Sequence, residues 1–159
     1  EANNHALRVS IANDLRVSVV DIVSTAMLKL IAWRDRKLDP DARRRHAQDF
    51  AWILKSYGDF RFNEHRVYED VPEVFEKAGY DVRLVGAWLL GHDVGRRVAG
   101  LTRERVRSVL DESTLLLVDI QATVFRASPS EAGVFLCFFV DGFEVTTDQD
   151  CGLGGNPDW

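Results

Sequence analysis

The hydrophobic period of this chain changes once, at Asp21, and that change limits the folds open to it. Leu7-Arg8-Val9-Ser10-Ile11 and Leu15-Arg16-Val17-Ser18-Val19 alternate apolar and polar residues on either side of the turn-forming Ala12-Asn13-Asp14. Strand side chains alternate faces with a period of two, so these segments read as a β-hairpin. From Asp21 onward the apolar residues Ile22, Val23, Ala26, Met27, Leu30 and Trp33 recur at three and four, which predicts a helix over about 21–36. A hairpin alone is marginal and needs partner strands, whose natural place is upstream. The expectation is therefore an α+β protein, with an N-terminal β-hairpin leading into a mainly helical bundle.

Asp39-Pro40 sets an N-cap residue before proline at the first helical position and opens a second helix. Ala47, Phe50, Leu54 and Tyr57 would form its buried face, and Gly58 its stop. Asp70-Val71-Pro72-Glu73 has capping-box spacing for a short helix ending at Gly79. Thr102 and Ser113-Thr114 are the expected caps of two further helices, and Ser128-Pro129-Ser130-Glu131 opens a last one through Val140. Ala87, Gly91 and Gly95 make a small-residue stripe at i, i+4 and i+8, which predicts that another helix comes close there. The division that follows is a hairpin remnant at 1–20, a helical domain at 21–143 and a disordered tail at 144–159.

At 159 residues the chain is long enough for one sizeable core. Its longest apolar run, Val134 to Val140, is far short of the roughly 18–20 residues that a membrane span needs. Glu1 stands where an initiator methionine would, and neither a basic nor an apolar signal region follows. The expectation is a cytoplasmic chain that is a fragment or a processed product. Cys137 and Cys151 are too few for a disulfide framework or a four-ligand zinc site, and Cys137, in an apolar helix, is expected to be buried.

The net charge of −5 hides a pattern. Arg34, Arg36, Lys37, Arg43, Arg44 and Arg45 crowd one stretch, and Arg96 to Arg107 holds five more arginines. A local basic surface on an acidic protein suits a phosphate-bearing ligand better than a bulk polyelectrolyte. On a helix Lys29 and Arg36, seven apart, differ by about 20° and share a face, with the small Ala32 between them. Such a pair makes a shallow cradle for a polyphosphate, the lysine as a point charge and the arginine as a fork. By spacing alone, however, snorkelling from the edge of the apolar face is the better reading of Lys29, and an ion pair with Arg45 on its own helix the better reading of Asp49.

Leu28-Lys29-Leu30-Ile31-Ala32-Trp33-Arg34-Asp35-Arg36, followed by the Asp49 helix ending Ile53-Leu54-Lys55-Ser56-Tyr57, resembles the AbiEii/AbiGii-type nucleotidyltransferases. These are the toxins of type IV toxin–antitoxin and abortive-infection systems. Their pattern is a K-L-x-A-x-x-x-R helix and then a K-D-x-x-D-[LI] helix. Gly86-Ala87-Trp88-Leu89-Leu90-Gly91-His92-Asp93-Val94 is similar to the family's later A-x-LLG-R-D-[IV] helix, so the resemblance spans residues 28–94. It implies the C-terminal portion of a DNA polymerase β-like nucleotidyltransferase. Such an enzyme transfers an NMP from an NTP to a tRNA or protein acceptor with Mg²⁺, and a cognate antitoxin is a possible partner. By the resemblance Lys29 and Asp49 are catalytic, and Lys29, Arg36 and Arg45 bind the nucleotide. The sequence also departs from the pattern. Arg45 stands for lysine, His46 for the first aspartate, Phe50 for Leu or Ile and His92 for arginine. The Gly-Ser and D-x-D motif that carries the metal is expected upstream, so the polypeptide alone is expected to be inactive.

Two other readings compete. A non-catalytic helical module would bind an antitoxin, or RNA through the arginine-rich surfaces. An HD-type metal-dependent phosphohydrolase would need His65, His92, Asp93 and Asp119 to converge on a metal.

Overall fold

The computed structural model describes residues 7–12 and 15–150. Strands β1 (Leu7–Ala12) and β2 (Leu15–Val19) pair antiparallel, with Leu7 opposite Val19 and Val9 opposite Val17. The expected turn residues Asn13 and Asp14 lie outside the described residues, as does His5. Helices follow: α1 (Ile22–Asp35), α2 (Pro40–Ser56), α3 (Pro72–Lys77), α4 (Val82–Arg97), α5 (Gly100–Asp111), α6 (Ser113–Gln121) and α7 (Pro129–Asp150). Two 3₁₀ turns, Tyr57–Asp59 and Arg61–Asn63, and a π turn, Arg66–Asp70, join α2 to α3.

The α+β expectation is corrected: this is an all-helical bundle. The hairpin pairs only with itself among the described residues, and every core residue described lies at Val23 or beyond. Two strands with no third to extend them leave the packing to helices.

Local signals set the first two helices. The Asp21 carboxylate accepts from the backbone N–H of Val23 and Ser24 at 3.0 and 3.1 Å, and Asp39 accepts from Ala42 at 3.0 Å ahead of Pro40. Each cap satisfies donors that a helix start leaves unpaired, worth about 1 kcal/mol. Other expected caps are not used. Val71, Ala99 and Glu112 occupy the cap positions of α3, α5 and α6, and none makes a side-chain cap bond. The last helix runs past Val140 to Asp150, through the first part of the expected tail, while 151–159 lie outside the described residues.

Helices α4 and α7 form the tightest pair, and glycine makes their approach possible. A Cβ on Gly91 would lie 1.9 Å from the Phe139 carbonyl oxygen, and one on Gly142 would lie 2.1 Å from that of Trp88. At a third point Gly95 faces Thr146, where a Cβ would come within 2.2 Å of the hydroxyl oxygen. The small-residue stripe on α4 therefore works as its spacing implied, with Gly142 answering from α7. Around this pair the core gathers Phe50, Leu54, Leu89, Leu90, Phe135, Phe139 and Phe143, all buried, with Phe50 edge-on to Phe139 at 5.3 Å. Cys137 is exposed, against expectation, because it lies between the buried Leu136 and Phe138 on the outward side of α7.

The glycines separate two opposite outcomes. Gly91→Ala or Gly142→Ala forces two backbones apart and should cost about 3 kcal/mol or more. Gly133→Ala, where a Cβ meets nothing within 4 Å, should instead stabilise α7 by about 0.5–1 kcal/mol. Urea midpoints of the three variants check the signs; a neutral Gly91→Ala would mean that the α4–α7 contact is looser than drawn.

Candidate functional site

Helices α1 and α2 lie side by side, and between them Lys29 Nζ donates to Asp49 Oδ2 at 2.6 Å. The two side chains are 30% and 50% exposed, so the pair sits at an open surface. Such a pair contributes about 0–1 kcal/mol to stability. Lys29 is thus not merely snorkelling, and Asp49 reaches the neighbouring helix rather than Arg45 on its own. Arg36 lies one residue past the end of α1 and Arg45 on α2; both are exposed, and neither pairs with a carboxylate among the described residues.

His46 sits among these four. Burial is the largest influence on its imidazole and lowers its pKa; the Lys29 charge lowers it next, Asp49 pulls the other way, and Arg36 and Arg45 add smaller downward pushes. It is therefore held neutral at pH 7. Its Nδ1 is buried with no hydrogen-bond partner among the described residues. The face thus collects three cations, one carboxylate and a neutral imidazole.

Much of the rest of the arginine-rich sequence has structural work. Arg34 and Lys37 pair with Glu112 at 3.2 and 2.9 Å, and Arg43 pairs with Asp119 at 2.8 Å while its guanidinium covers the Trp33 ring. Asp119 also accepts from the buried Trp33 Nε1 at 2.8 Å. Farther along, Arg97 is held by Asp21, Arg103 donates to Thr146 and Arg107 to Glu144. Among the described residues, Arg36, Arg44 and Arg45 are what the first basic stretch leaves without a carboxylate partner.

A second constellation has no counterpart in the sequence reading. Arg66 clasps Asp93 with two bonds of 2.7 Å, and the Tyr57 hydroxyl donates to Asp93 Oδ2 at 2.6 Å. Burial acts to raise the Asp93 carboxyl, but the neighbouring His92, the Arg66 fork and the Tyr57 hydroxyl outweigh it and hold the group far below the usual carboxylate range. Burial first, and then the Asp93 charge, push the Tyr57 phenol well above its ordinary value. From sequence, Asp93 stood out as a candidate metal ligand and Tyr57 only as a buried residue at the end of α2. The partners of Asp93 stand 36 and 27 residues away, beyond any local spacing rule.

The residues of the phosphohydrolase reading do not meet. Asp93 is taken by Arg66 and Tyr57, Asp119 by Trp33 and Arg43, and His65 by Glu69 at 2.9 Å. No group of three or more His, Cys, Asp or Glu side chains gathers among the described residues. Among the same residues no helix is long and apolar enough to cross a membrane.

The depressed Asp93 pKa fixes a pH signature. Its folded value lies below the unfolded one of about 3.9, so its stabilisation is present above about pH 4 and is lost as the pH falls below that. Asp93→Asn, which weakens the clasp on a half-buried guanidinium, should cost about 3 kcal/mol at pH 7. The gap from wild type should narrow steadily towards pH 3 in urea titrations. A gap constant from pH 7 to pH 3 would show that the Asp93 charge is not what holds the cluster.

No protein-family model matches the sequence, and neither the curated proteins nor the solved structures contain a significant match to it.

Proposed function

We propose that the α1–α2 face grips the polyphosphate of an NTP in a nucleotidyltransferase that passes an NMP to an RNA or protein acceptor. The observation that carries this reading is the meeting of Lys29 and Asp49, 20 residues apart in sequence, at 2.6 Å on an open surface, flanked by Arg36 and Arg45, which pair with no carboxylate among the described residues. An exposed ion pair adds too little to stability to account for three cations gathered on one face. A polyphosphate does account for them.

In such a transfer most of the catalysis is charge stabilisation by groups already in place. Lys29 would meet the phosphate oxygens as a point charge, with Asp49 fixing where its ammonium sits. Arg36 and Arg45 would clasp the outer phosphates as forks. Trp52, exposed and one turn along α2 from Asp49, offers an aromatic face to the base. Mg²⁺ would supply charge neutralisation at the phosphates, but these residues do not fit it unaided: Asp49 is the carboxylate this face would offer, and no group of three or more His, Cys, Asp or Glu gathers among the described residues. The reading gives this face the nucleotide and leaves the metal's carboxylates to a part of the enzyme beyond these helices. The RNA-binding alternative loses ground, because Arg34, Lys37, Arg43 and Arg97 are each taken by a carboxylate.

Titration of the chain with ATP, GTP, CTP and UTP should reveal binding of at least one. Lys29→Ala should weaken it about tenfold or more, as loss of a charge-assisted hydrogen bond does. Arg36→Ala and Arg45→Ala should each cost about threefold to tenfold. In the NMP-transferring enzyme, Lys29→Ala and Asp49→Ala should abolish labelling with the fold retained. Wild-type affinity in Lys29→Ala would overturn the reading.

A further inference from the structure

A wide cleft lies not on the Lys29–Asp49 pair but beside it. It has a volume of about 880 Å³ and opens where the hairpin enters α1, between the start of α1, the turns after α2 and the end of α4. Three guanidinium groups line it, Arg66, Arg96 and Arg97, against two carboxylates, Asp21 and Asp93. The carboxylates are already committed, Asp93 to Arg66 and Asp21 to Arg97. Arg96 is exposed and pairs with no carboxylate among the described residues, which leaves the cleft one positive charge over.

Its other notable wall is aromatic. Phe62 is 58% exposed, yet it is held in place, stacked on Phe60 at 5.7 Å with the rings 3° from parallel, and edge-on to Tyr57 at 5.8 Å. An exposed ring fixed by two others can take a planar ligand without first losing its own freedom. A free guanidinium and a fixed aromatic ring in one open cleft are complementary to a flat base joined to a phosphate. The volume is that of a small-molecule site.

We infer that this cleft is a second nucleotide site, which takes one nucleoside monophosphate unit with its base against Phe62 and its phosphate on Arg96. Ile22 and Thr25 of α1 line it, seven and four residues before Lys29 and on the same face of the helix. At 1.5 Å per residue, Ile22 and Lys29 are about 10 Å apart along the axis. A unit in the cleft and a triphosphate on Lys29 would lie end to end along α1. That relation rests on the function proposed above; binding in the cleft does not. The unit is either a free mononucleotide or the end of a nucleic-acid strand, since both present the same chemistry.

Calorimetric titration of the 159-residue chain with AMP, with adenosine and with single-stranded (rA)₆ tests this. AMP should bind more tightly than adenosine. Arg96→Ala should weaken AMP about tenfold and leave adenosine unchanged, and Phe62→Ala should weaken both about tenfold. Both side chains are exposed, so unchanged thermal midpoints should confirm folding. Arg105→Ala, which removes an exposed arginine outside the cleft, should bind AMP as wild type does. Tighter binding of (rA)₆ than of AMP through the same two residues identifies a strand end; equal binding identifies a mononucleotide. Undiminished AMP affinity in Arg96→Ala and Phe62→Ala overturns the inference, as does the absence of AMP and (rA)₆ binding. So does a loss that follows Lys29→Ala instead of Arg96→Ala. If Lys29→Ala leaves NTP binding intact while Arg96→Ala abolishes AMP binding, the triphosphate grip fails and the cleft stands.

Discussion

Contact between the backbones of α4 and α7 is the constraint on which the rest of the structure depends. Gly91 and Gly142 each sit against a carbonyl of the other helix, at positions where any side chain would collide. A glycine inside a helix costs about 1 kcal/mol relative to alanine, so the two helices carry that cost in exchange for an approach that larger residues forbid. What they gain is a shared wall of Leu89, Leu90, Phe135, Phe139 and Phe143, against which α2 sets Phe50 and Leu54. A second close approach, Gly58 against Gly86, fastens the end of α2 to the start of α4. Helix α2 is positioned by these contacts, and with it Asp49, whose meeting with Lys29 depends on where α1 packs against α2.

Electrostatics then divides the basic residues into two populations. Glu112 and Asp119, at the start and within α6, draw Arg34, Lys37 and Arg43 across the α1–α2 turn, and the buried Trp33 indole joins them through Asp119. These contacts tie α1, α2 and α6 together and leave those cations little freedom to meet a ligand. Arg36 and Arg45 are different in kind: exposed, and with no carboxylate to satisfy them among the described residues. Counting arginines along the sequence could not separate the two groups, because the acids that decide lie more than 70 residues away.

Periodicity and punctuation made most of the helices legible. Asp21 and Asp39 cap as their positions imply, and Pro40 opens α2. Gly79 follows α3 at a φ of 60°, a conformation that glycine adopts without strain. Long-range packing was the unreadable part. Gly142, next to Asp141, has the look of a helix end but is a contact point in the middle of α7. The alternating hairpin was read rightly as a hairpin, but the α+β class drawn from it is overturned, since a period of two reports faces and not how much of the fold is sheet; among the described residues the two strands pair only with each other. Of the candidate site, the shared face of Lys29 and Arg36 was visible in the spacing, and the part of Asp49 came from the resemblance. The Arg66–Asp93–Tyr57 clasp was not visible, because no helical or strand period relates three residues spread over 37 positions.

Helix α1 shows how the fold can hold a reactive surface without weakening itself. Val23, Ala26, Met27, Leu30 and Trp33 are buried and fix the rotation of the helix. Lys29 and Thr25 lie at the half-buried edge of that face, and Ile22, which packs partly against the core, borders the cleft together with Thr25. The distance from cleft to Lys29 is therefore set by helical rise and not by the conformation of a loop, and a rigid element holds separated groups more accurately than a loop does. The core would lose little if Lys29 or Arg96 were replaced, because neither is buried and the Lys29–Asp49 ion pair is exposed. Loss of ligand affinity in such variants would then report on the surface alone, which makes the face opposite the core the part of this protein where function can be tested apart from folding.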